Sequence, residues 1–507
     1  MYQKRPTPPL GWRPARRITH SGAIQAGKKE SFSSDFSISA PSGAERYGFV
    51  VEQQKQERRS FYKLVGALVL PMALQNLINV GVTSADVVML GIVGDDVLAA
   101  ASLAGQVQFI LTLIFFGLTS GAAVLTAQYW GKGDTRTIEK VLGITLRFAI
   151  LIAVLFMAVV WIIPAPVMRI FTPEQALIEL GVPYLRIIAV SYLFTAVTTV
   201  YLNLMRSVER VVVSTVIYLI SLLANIALNA VFIFGLLGVP AMGIRGAAVA
   251  SVIARALELV LTLVYAFAVN KTIRLRWQDV FVRDKPLFRD FLTYSIPVVA
   301  NELLWGAALA TNAVIIGHLG VAAVAANAAA QVVRQLATVV AFGIANATAI
   351  LVGKAIGENN EAKAQLYAGR LIKLSVASGI GGAALILLIR PFVLKMLSLT
   401  PEAAGYLSVM LLVICYYVIC QSFNTTLIVG VFRGGGDTRY GLFVDVTTMW
   451  CFSILLGALG AFVFEWSVPV VYVLLLSDEI AKIGLSAWRY KSKKWLRNVT
   501  RERQEAL

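Results

Sequence analysis

Acidic side chains lie inside strongly apolar stretches of this 507-residue sequence, where a charge is costly. Asp86 and Glu302 each occupy such a stretch, and Asp445, Asp478 and Glu479 occupy two more. An ionisable group in lipid usually marks an ion pathway, a proton relay or an internal ion pair. We therefore expect these five carboxyl groups either to bind a proton or a cation, or to be neutralised by a base.

Basic residues close in sequence supply the second alternative. Arg334 lies on the predicted helix that follows the helix of Glu302. Glu302 could therefore form a buried ion pair with Arg334 or bind a cation, and the sequence favours neither. Two further pairs have helix-neighbour spacing and could satisfy each other, namely Arg255 with Glu258 and Asp478 with Lys482.

The elements that hold these residues are membrane helices. A composition of 58% hydrophobic and 14% charged residues excludes an ordinary soluble protein. Apolar runs of about 20 residues cross a hydrocarbon layer, and the short alternating runs of a transmembrane barrel are absent from the sequence. Twelve such runs are found, at 64–92, 98–129, 140–163, 183–205, 211–238, 246–268, 291–316, 322–351, 371–394, 404–430, 440–463 and 467–487.

The two halves of the chain repeat one another. A shift of 226 residues places Pro71 on Pro297 and continues without a gap. Each half holds six predicted helices, so both halves enter and leave on the same side, as parallel repeats do. The sequence thus predicts an all-α polytopic membrane protein with twelve transmembrane helices in two parallel six-helix repeats. Its predicted parts are a disordered or amphipathic cytoplasmic tail (1–63), an N-lobe (64–269), a cytoplasmic linker (270–290), a C-lobe (291–490) and a basic cytoplasmic tail (491–507).

The repeat also shows which acids differ between the two lobes. Asp86 falls on Asn312, and Glu302 falls on Asn76. Each lobe therefore keeps one acid where the other lobe has an amide, which indicates two unlike half-sites.

The distribution of basic residues predicts the orientation. Seventeen Lys and Arg, among them Arg206 and Arg433, lie in the connections on one side of the predicted helices, against four on the other. The positive-inside rule then places both termini in the cytoplasm and the protein in the inner (plasma) membrane. The net charge of +17 fits contact with acidic lipid headgroups and gives no reason to expect nucleic acid as a partner.

Several motifs in order resemble one transporter family over residues 60–500. They are the Pro71 helix with Asp86, AQYWGKGD at 127–134, GIRGAAVAS at 243–251, IPVVANELLW at 296–305, RGGGDTR at 433–439 and WRYKSKKWLRNVT at 488–500. The chain resembles the multidrug and toxic compound extrusion (MATE) transporters of bacteria or archaea. The resemblance implies cation-coupled export of hydrophobic or cationic organic compounds, in which the lobes rock and open a central cavity to each side in turn.

The resemblance also implies coupling residues in the N-lobe. The first-helix Asp of the family is tied to proton coupling, and Asp86 matches it. One branch adds an Asn and an Asp four residues apart on the fifth helix and a polar residue on the sixth. The matching residues here are Asn225, Asn229 and Ser251, with Asn203 nearby on the fourth helix, so Asn229 stands where that branch has an acid.

In the C-lobe, Glu302 matches the seventh-helix acid of another branch, which binds sodium there. Asp445, Asp478 and Glu479 could contribute to such a site, and Arg334 could neutralise it. The coupling ion is thus H⁺ or Na⁺, and we expect no cofactor and no metal site other than a sodium ion near Glu302.

A substrate cavity between the lobes should be mostly apolar with a few polar anchors. Seven residues at inward-plausible positions are candidates, namely Gln75, Asn76, Gln106, Asn301, Trp305, Gln331 and Tyr416. We expect a small organic substrate, membrane lipid as surroundings and a monomer.

Three other classes of function were compared with the sequence. A flippase for lipid-linked oligosaccharides is the nearest alternative within transport, and it would need more cations in the cavity than Arg334 and Arg255. An enzyme is not expected, because the chain has two histidines and no convergent catalytic set. A channel, scaffold or receptor would share the duplication but would not move substrate against a gradient.

Overall fold

The chain folds into helices throughout the part that the structure, a computed structural model, describes: residues 43–281, 283–397 and 399–501. The α-helices are α1 (Gly43–Val93), α2 (Asp95–Lys132), α3 (Thr135–Ile162), α4 (Pro164–Arg169), α5 (Gln175–Ile188), α6 (Val190–Ser207), α7 (Val211–Phe234), α8 (Ile244–Val264), α9 (Trp277–Val280), α10 (Lys285–His318), α11 (Val321–Gly357), α12 (Glu361–Met396), α13 (Pro401–Thr425), α14 (Thr438–Thr448), α15 (Leu455–Phe462), α16 (Val468–Leu475) and α17 (Asp478–Lys491).

Local sequence sets where the long helices begin and end. Asp134 caps α3 by accepting a hydrogen bond from the Thr137 amide at 3.0 Å, and Asn360 caps α12 in the same way. Gly133 caps the carboxyl end of α2, and its φ of 79° is the left-handed conformation that glycine adopts without strain. The connections at these ends are therefore short and fixed.

Three of the helices continue as π-helical segments, in which the turn is wider than in an α-helix. The segments are Tyr265–Val269 after α8, Thr426–Phe432 after α13 and Met449–Ile454 after α14.

The predicted membrane spans are mostly confirmed. Ten helices of the described residues are long and apolar enough to cross a membrane, and α5 with α6, bent by 47°, forms an eleventh. The twelfth predicted run, 467–487, is divided between α16 and α17, with the break at 476–477. Each of these two helices is too short to cross a membrane by itself.

The predicted tails fall partly outside the described residues. Residues 1–42 and 502–507 lie outside them. Helix α1 begins at Gly43 and runs through the predicted boundary at residue 63 into the first span. At the other end, Trp495 is fully buried and packs on Gly435, so part of the predicted basic tail belongs to the folded core.

The lobes meet along α2, which packs against both α10 and α11. On one side of the molecule the ends of α2, α6 and α11 and the segment 492–501 come together, and we call this side the basic face. Lys354 forms an ion pair with Glu209 there at 2.6 Å. The two lobes are thus joined at the basic face.

Candidate functional site

Four predicted coupling residues meet in the N-lobe. Asp86 of α1 accepts a hydrogen bond from Asn229 Nδ2 of α7 at 2.6 Å. One turn earlier on α7, Asn225 Oδ1 accepts from the same Asn229 amide at 3.4 Å. Asn225 in turn donates to Ser251 Oγ of α8 at 3.3 Å. The structure therefore brings Asp86, Asn225, Asn229 and Ser251 into one group, and their role in coupling stays a prediction.

The chemistry of this group centres on the Asn229 amide. Asn229 is fully buried, and its Oδ1 has no hydrogen-bond partner among the described residues. The residue therefore donates to the Asp86 carboxylate and keeps a free acceptor beside it. An amide can serve both forms of a neighbouring carboxyl group, because it donates to the charged form and accepts from the protonated one.

Asn203 does not join this group. Its side chain donates to Thr119 Oγ1 at 3.2 Å and accepts a hydrogen bond from Arg206, one turn further along α6. Both of these contacts lie within the N-lobe and away from Asp86.

Glu302 is neutralised by a residue that the sequence did not single out as its partner. Its carboxylate accepts a hydrogen bond from Arg433 at 2.7 Å, and both side chains are buried. Arg433 also donates to Ser120 Oγ of the N-lobe at 3.0 Å. Of the two alternatives left open for Glu302, the pair with Arg334 is not formed, because the Arg334 guanidinium lies 5.4 Å from the ring centroid of Tyr417 and donates to its hydroxyl.

The other three acids of the C-lobe surround one ammonium group. Lys482 Nζ lies 2.8 Å from Asp478, 3.1 Å from Glu479 and 3.2 Å from Asp445. Asn301 donates to Asp445 at 2.9 Å. Lys482 therefore occupies the position among these carboxylates that a bound cation would take.

The predicted pair between Asp478 and Lys482 is found, although Lys482 also holds two further acids. The predicted pair between Arg255 and Glu258 is found as well, at 2.7 Å.

A cavity lies between the lobes close to the basic face. Its volume is about 40 Å³. We call it the inter-lobe cavity, and it is lined by Met72, Phe116, Thr119, Ser120, Ala123, Val124, Asn203, Arg206, Ser207, Asn346, Ala349, Ile350, Val429, Arg433 and Gly434. Two arginines, one from each lobe, are its charged residues.

The seven predicted substrate residues lie elsewhere. Gln75 is buried behind the cavity and accepts a hydrogen bond from Arg206 at 3.2 Å, while Asn301 is held by Asp445. Tyr416 donates to the Leu476 carbonyl at 3.4 Å. Trp305 packs in the hydrophobic core of the C-lobe, Asn76 and Gln331 are half-buried, and Gln106 is exposed. Contact with substrate by these residues stays a prediction.

The sequence did not single out Arg206 and Arg433 as site residues. Both lie at helix ends, where basic residues are expected to belong to the connections outside the membrane. A signal was present in the sequence, since the repeat lays the end of the fourth predicted helix on the end of the tenth and so puts Arg206 next to Arg433 in register. Equivalent basic residues at the inner ends of two equivalent helices would face a common axis.

Comparison with protein families gives one match that spans both lobes. The family model described as MatE matches residues 71–231 and 297–484.

Curated relatives cover most of the chain. An uncharacterized transporter YisQ of Bacillus subtilis is 23% identical over 435 residues, which is 85% of this chain and 94% of the relative. A probable multidrug resistance protein NorM of Bradyrhizobium diazoefficiens is 27% identical and covers 82% of this chain and 87% of its own length.

Solved structures share the fold. One, described as an outward-facing conformation of a multidrug resistance MATE family transporter of the MOP superfamily, superposes with a TM-score of 0.77 at 19% identity. The match covers 85% of this chain and 96% of that one. The twelve-helix fold of two lobes predicted from the sequence is therefore confirmed.

Proposed function

Because the chain belongs to the MatE family of transporters, we propose that it is a proton-coupled antiporter that exports organic compounds by alternating access of its two lobes. The proton enters the N-lobe at Asp86 as substrate leaves. The protein resides in the inner (plasma) membrane as a monomer, with both termini in the cytoplasm and with no cofactor besides the coupling ion.

The contact between Asp86 and Asn229 carries the proposal. A carboxylate at membrane depth is costly when charged and gains from protonation, whereas the donated hydrogen bond at 2.6 Å favours the charged form. The free acceptor of Asn229 offers the neutral carboxyl a partner as well. Both protonation states are therefore supported, which a proton carrier needs if it is to load and unload.

The C-lobe charges support H⁺ over Na⁺ as the coupling ion. Glu302 is already paired with Arg433, and Lys482 already neutralises Asp478 and its neighbours. A sodium ion would have to displace a guanidinium or an ammonium that is covalently tethered in place. We therefore expect export to proceed without sodium.

Purified protein in liposomes tests the proposal when a pH gradient and a sodium gradient are imposed separately. Transport is followed with fluorescent amphipathic dyes of cationic, neutral and anionic types. We expect the pH gradient alone to drive dye movement, and we expect Asp86→Asn to abolish that movement while dye binding remains. Asp95→Asn is the matched control, because Asp95 is exposed at the start of α2. Sodium-driven transport by the native protein, or pH-driven transport by Asp86→Asn, would refute proton coupling at Asp86.

A flippase for lipid-linked oligosaccharides is the second candidate. Arg206 and Arg433 in the inter-lobe cavity favour it, because a lipid-linked phosphate needs cationic partners.

A further inference from the structure

The two arginines of the inter-lobe cavity occupy equivalent places in the two repeats. Arg206 ends α6 and Arg433 follows the π-helical segment after α13, and both side chains line the same small space. Two guanidinium groups that face one cavity repel each other unless anionic partners lie near them.

Only one of the two arginines has an acidic partner among the described residues. Arg433 is paired with Glu302 at 2.7 Å. Arg206 instead donates to two neutral amides, Gln75 Oε1 at 3.2 Å and Asn203 Oδ1. Within the part of the chain that the structure describes, no carboxylate lies within 4.0 Å of Arg206. This difference between the two arginines matches a difference between the repeats. The N-lobe has Asn76 at the position where the C-lobe has Glu302.

The charged groups at the cavity therefore sum to +1, the charge of the Arg206 guanidinium. Arg206 is half-buried, and a charge that is partly withdrawn from water without a counter-charge is unfavourable, so an anion that binds beside it is stabilised. The rest of the lining adds hydroxyl and amide groups, from Ser120, Ser207 and Asn346, which can hydrogen-bond to the same ligand.

The size of the cavity limits what it can hold in this conformation. About 40 Å³ accommodates a group the size of a carboxylate or one or two water molecules, whereas drug-sized ligands occupy clefts of roughly 300–1,000 Å³. The apolar side chains beside the arginines, Met72, Phe116 and Ile350 among them, suit the adjoining part of an amphipathic molecule.

We propose that the inter-lobe cavity binds the acid group of an anionic amphipathic substrate, a carboxylate or a phosphate, through Arg206 with Arg433 beside it. A guanidinium holds either oxyanion with paired N–H donors. A cationic dye would meet two guanidinium groups and a carboxylate that is already paired. This substrate class deepens the proposed function and rests on it for transport, but binding of the acid group requires no ion gradient.

Equilibrium binding to the purified full-length protein tests the proposal independently of coupling. The probes are two xanthene dyes of similar size and opposite charge, carboxyfluorescein and rhodamine 6G, followed by fluorescence anisotropy. We expect carboxyfluorescein to bind more tightly than rhodamine 6G. We expect Arg206→Gln to weaken carboxyfluorescein binding by about tenfold or more, the effect of losing one charged hydrogen bond.

Two further variants separate the charge from general damage to the fold. Arg210→Gln is the matched control, because Arg210 lies four residues on and hydrogen-bonds to Tyr265, Asn270 and Thr272 away from the cavity. Its binding should equal that of the native protein. Glu302→Gln should bind carboxyfluorescein more tightly, because it releases Arg433 from its acidic partner. Unchanged anion binding in Arg206→Gln, or tighter binding of rhodamine 6G than of carboxyfluorescein, would overturn the proposal.

A lipid assay distinguishes the two sources of the acid group. Proteoliposomes that contain fluorescently labelled phosphatidic acid or phosphatidylcholine are treated with a membrane-impermeant quencher. Faster transbilayer movement of phosphatidic acid, reduced by Arg206→Gln, identifies a lipid phosphate as the ligand. Equal movement of the two lipids together with carboxyfluorescein binding identifies a free organic anion. If carboxyfluorescein binds but no gradient moves it, coupled export is refuted while the anion site stands.

Discussion

The ammonium group of Lys482 is the counter-charge for three carboxylates of the C-lobe. Asp478 and Glu479 lie one turn before it on α17, and Asp445 reaches it from α14. All of these side chains except Asp445 are buried. Removal of a buried ammonium leaves carboxylates without a counter-charge, which costs far more than the pair contributes when intact.

Lys482→Met should therefore destabilise the protein by about 3–5 kcal/mol, the usual cost of breaking a buried ion pair. The measurement is thermal or denaturant unfolding in detergent. Lys491→Met is the matched control, because Lys491 lies at the end of the same helix and is exposed.

The reason for the loss can be checked by removing the acids as well. Asp478→Asn and Glu479→Gln in the Lys482→Met background should recover most of the lost stability, because uncharged amides need no ammonium. If Lys482→Met unfolds at the same denaturant concentration as the native protein, the carboxylates do not depend on Lys482.

Sequence found some of these residues and missed others for identifiable reasons. Asn225, Asn229 and Ser251 were predicted from the family resemblance. The spacing of four residues between the two asparagines fits the single helix face on which they lie. For Glu302 the sequence left a pair with Arg334 and cation binding equally open, whereas its partner in the structure is Arg433, which lies 131 residues away. Helix spacing says which residues share a face, but it does not say which distant helix packs against that face.

At the scale of the element, the π-helical segment Thr426–Phe432 explains part of that failure. A π-turn holds more residues than an α-turn, so counting about 3.6 residues per turn along α13 gives the wrong direction for the residues after the segment. Arg433 comes directly after this segment and points into the inter-lobe cavity, where its guanidinium meets Glu302. Such segments often occur at functional sites. The glycine within this one, Gly430, marks a weak point of the helix but does not predict a π-turn.

The start of α10 is a second element with a local cause. Asp284 accepts a hydrogen bond from the Leu287 amide at 3.2 Å, and its carboxylate lies 2.9 Å from Lys140 of α3. Burial alone would raise the pKa of Asp284, but the hydrogen bonds from Lys140 and Leu287 outweigh it and lower the pKa. The cap therefore also joins the predicted linker to the N-lobe.

Asp284→Ala should lower the stability of the protein by about 1 kcal/mol, the usual cost of losing a helix cap. Because the folded-state pKa is lowered, the contribution is present above the ordinary carboxyl pKa and is lost as the pH falls through the lowered value. Unfolding temperatures in detergent at neutral and acidic pH measure both effects. Asp96→Ala, at an exposed position in the first turn of α2, is the control. An equal loss in the two variants would rule out a specific role for the cap.

At the scale of the whole molecule, the basic face is closed by contacts between the lobes. Gln128 of α2 donates to the carbonyl oxygens of Gly434 and Arg497 at 3.0 Å and accepts from the Val499 amide at 2.8 Å. Arg501 then bridges to Asp290 of α10 at 2.6 Å. The segment 492–501 is therefore a strap across both lobes, and an opening of this face requires its release.

Two of the contacts that close the basic face are equivalent in the two repeats. Gly131 of α2 packs against the carbonyl oxygen of Lys354, and Gly357 of α11 packs against the carbonyl oxygen of Gln128. The shift of 226 residues lays Gly131 on Gly357 and Gln128 on Lys354, so the two contacts are related by the repeat. The sequence could predict the twofold relation of the lobes, but it could not predict that these glycines lie on the axis.

Gly357→Ala tests whether this contact keeps the basic face closed. A Cβ atom there would collide with the backbone of Gln128, which cannot rotate away as a side chain can, so the lobes must separate. The variant should label faster at a cysteine placed in the inter-lobe cavity, Ala123→Cys, after Cys415, Cys420 and Cys451 have been replaced.

The reagent is a membrane-impermeant maleimide, applied to inside-out and right-side-out vesicles. Labelling should rise several-fold in inside-out vesicles, because the proposed orientation exposes the basic face there. Gly381→Ala is the matched control: Gly381 is also helical, and its added Cβ would meet no atom within 4 Å in the described structure. If Gly357→Ala labels no faster than Gly381→Ala, the glycine contact is not what holds the face closed.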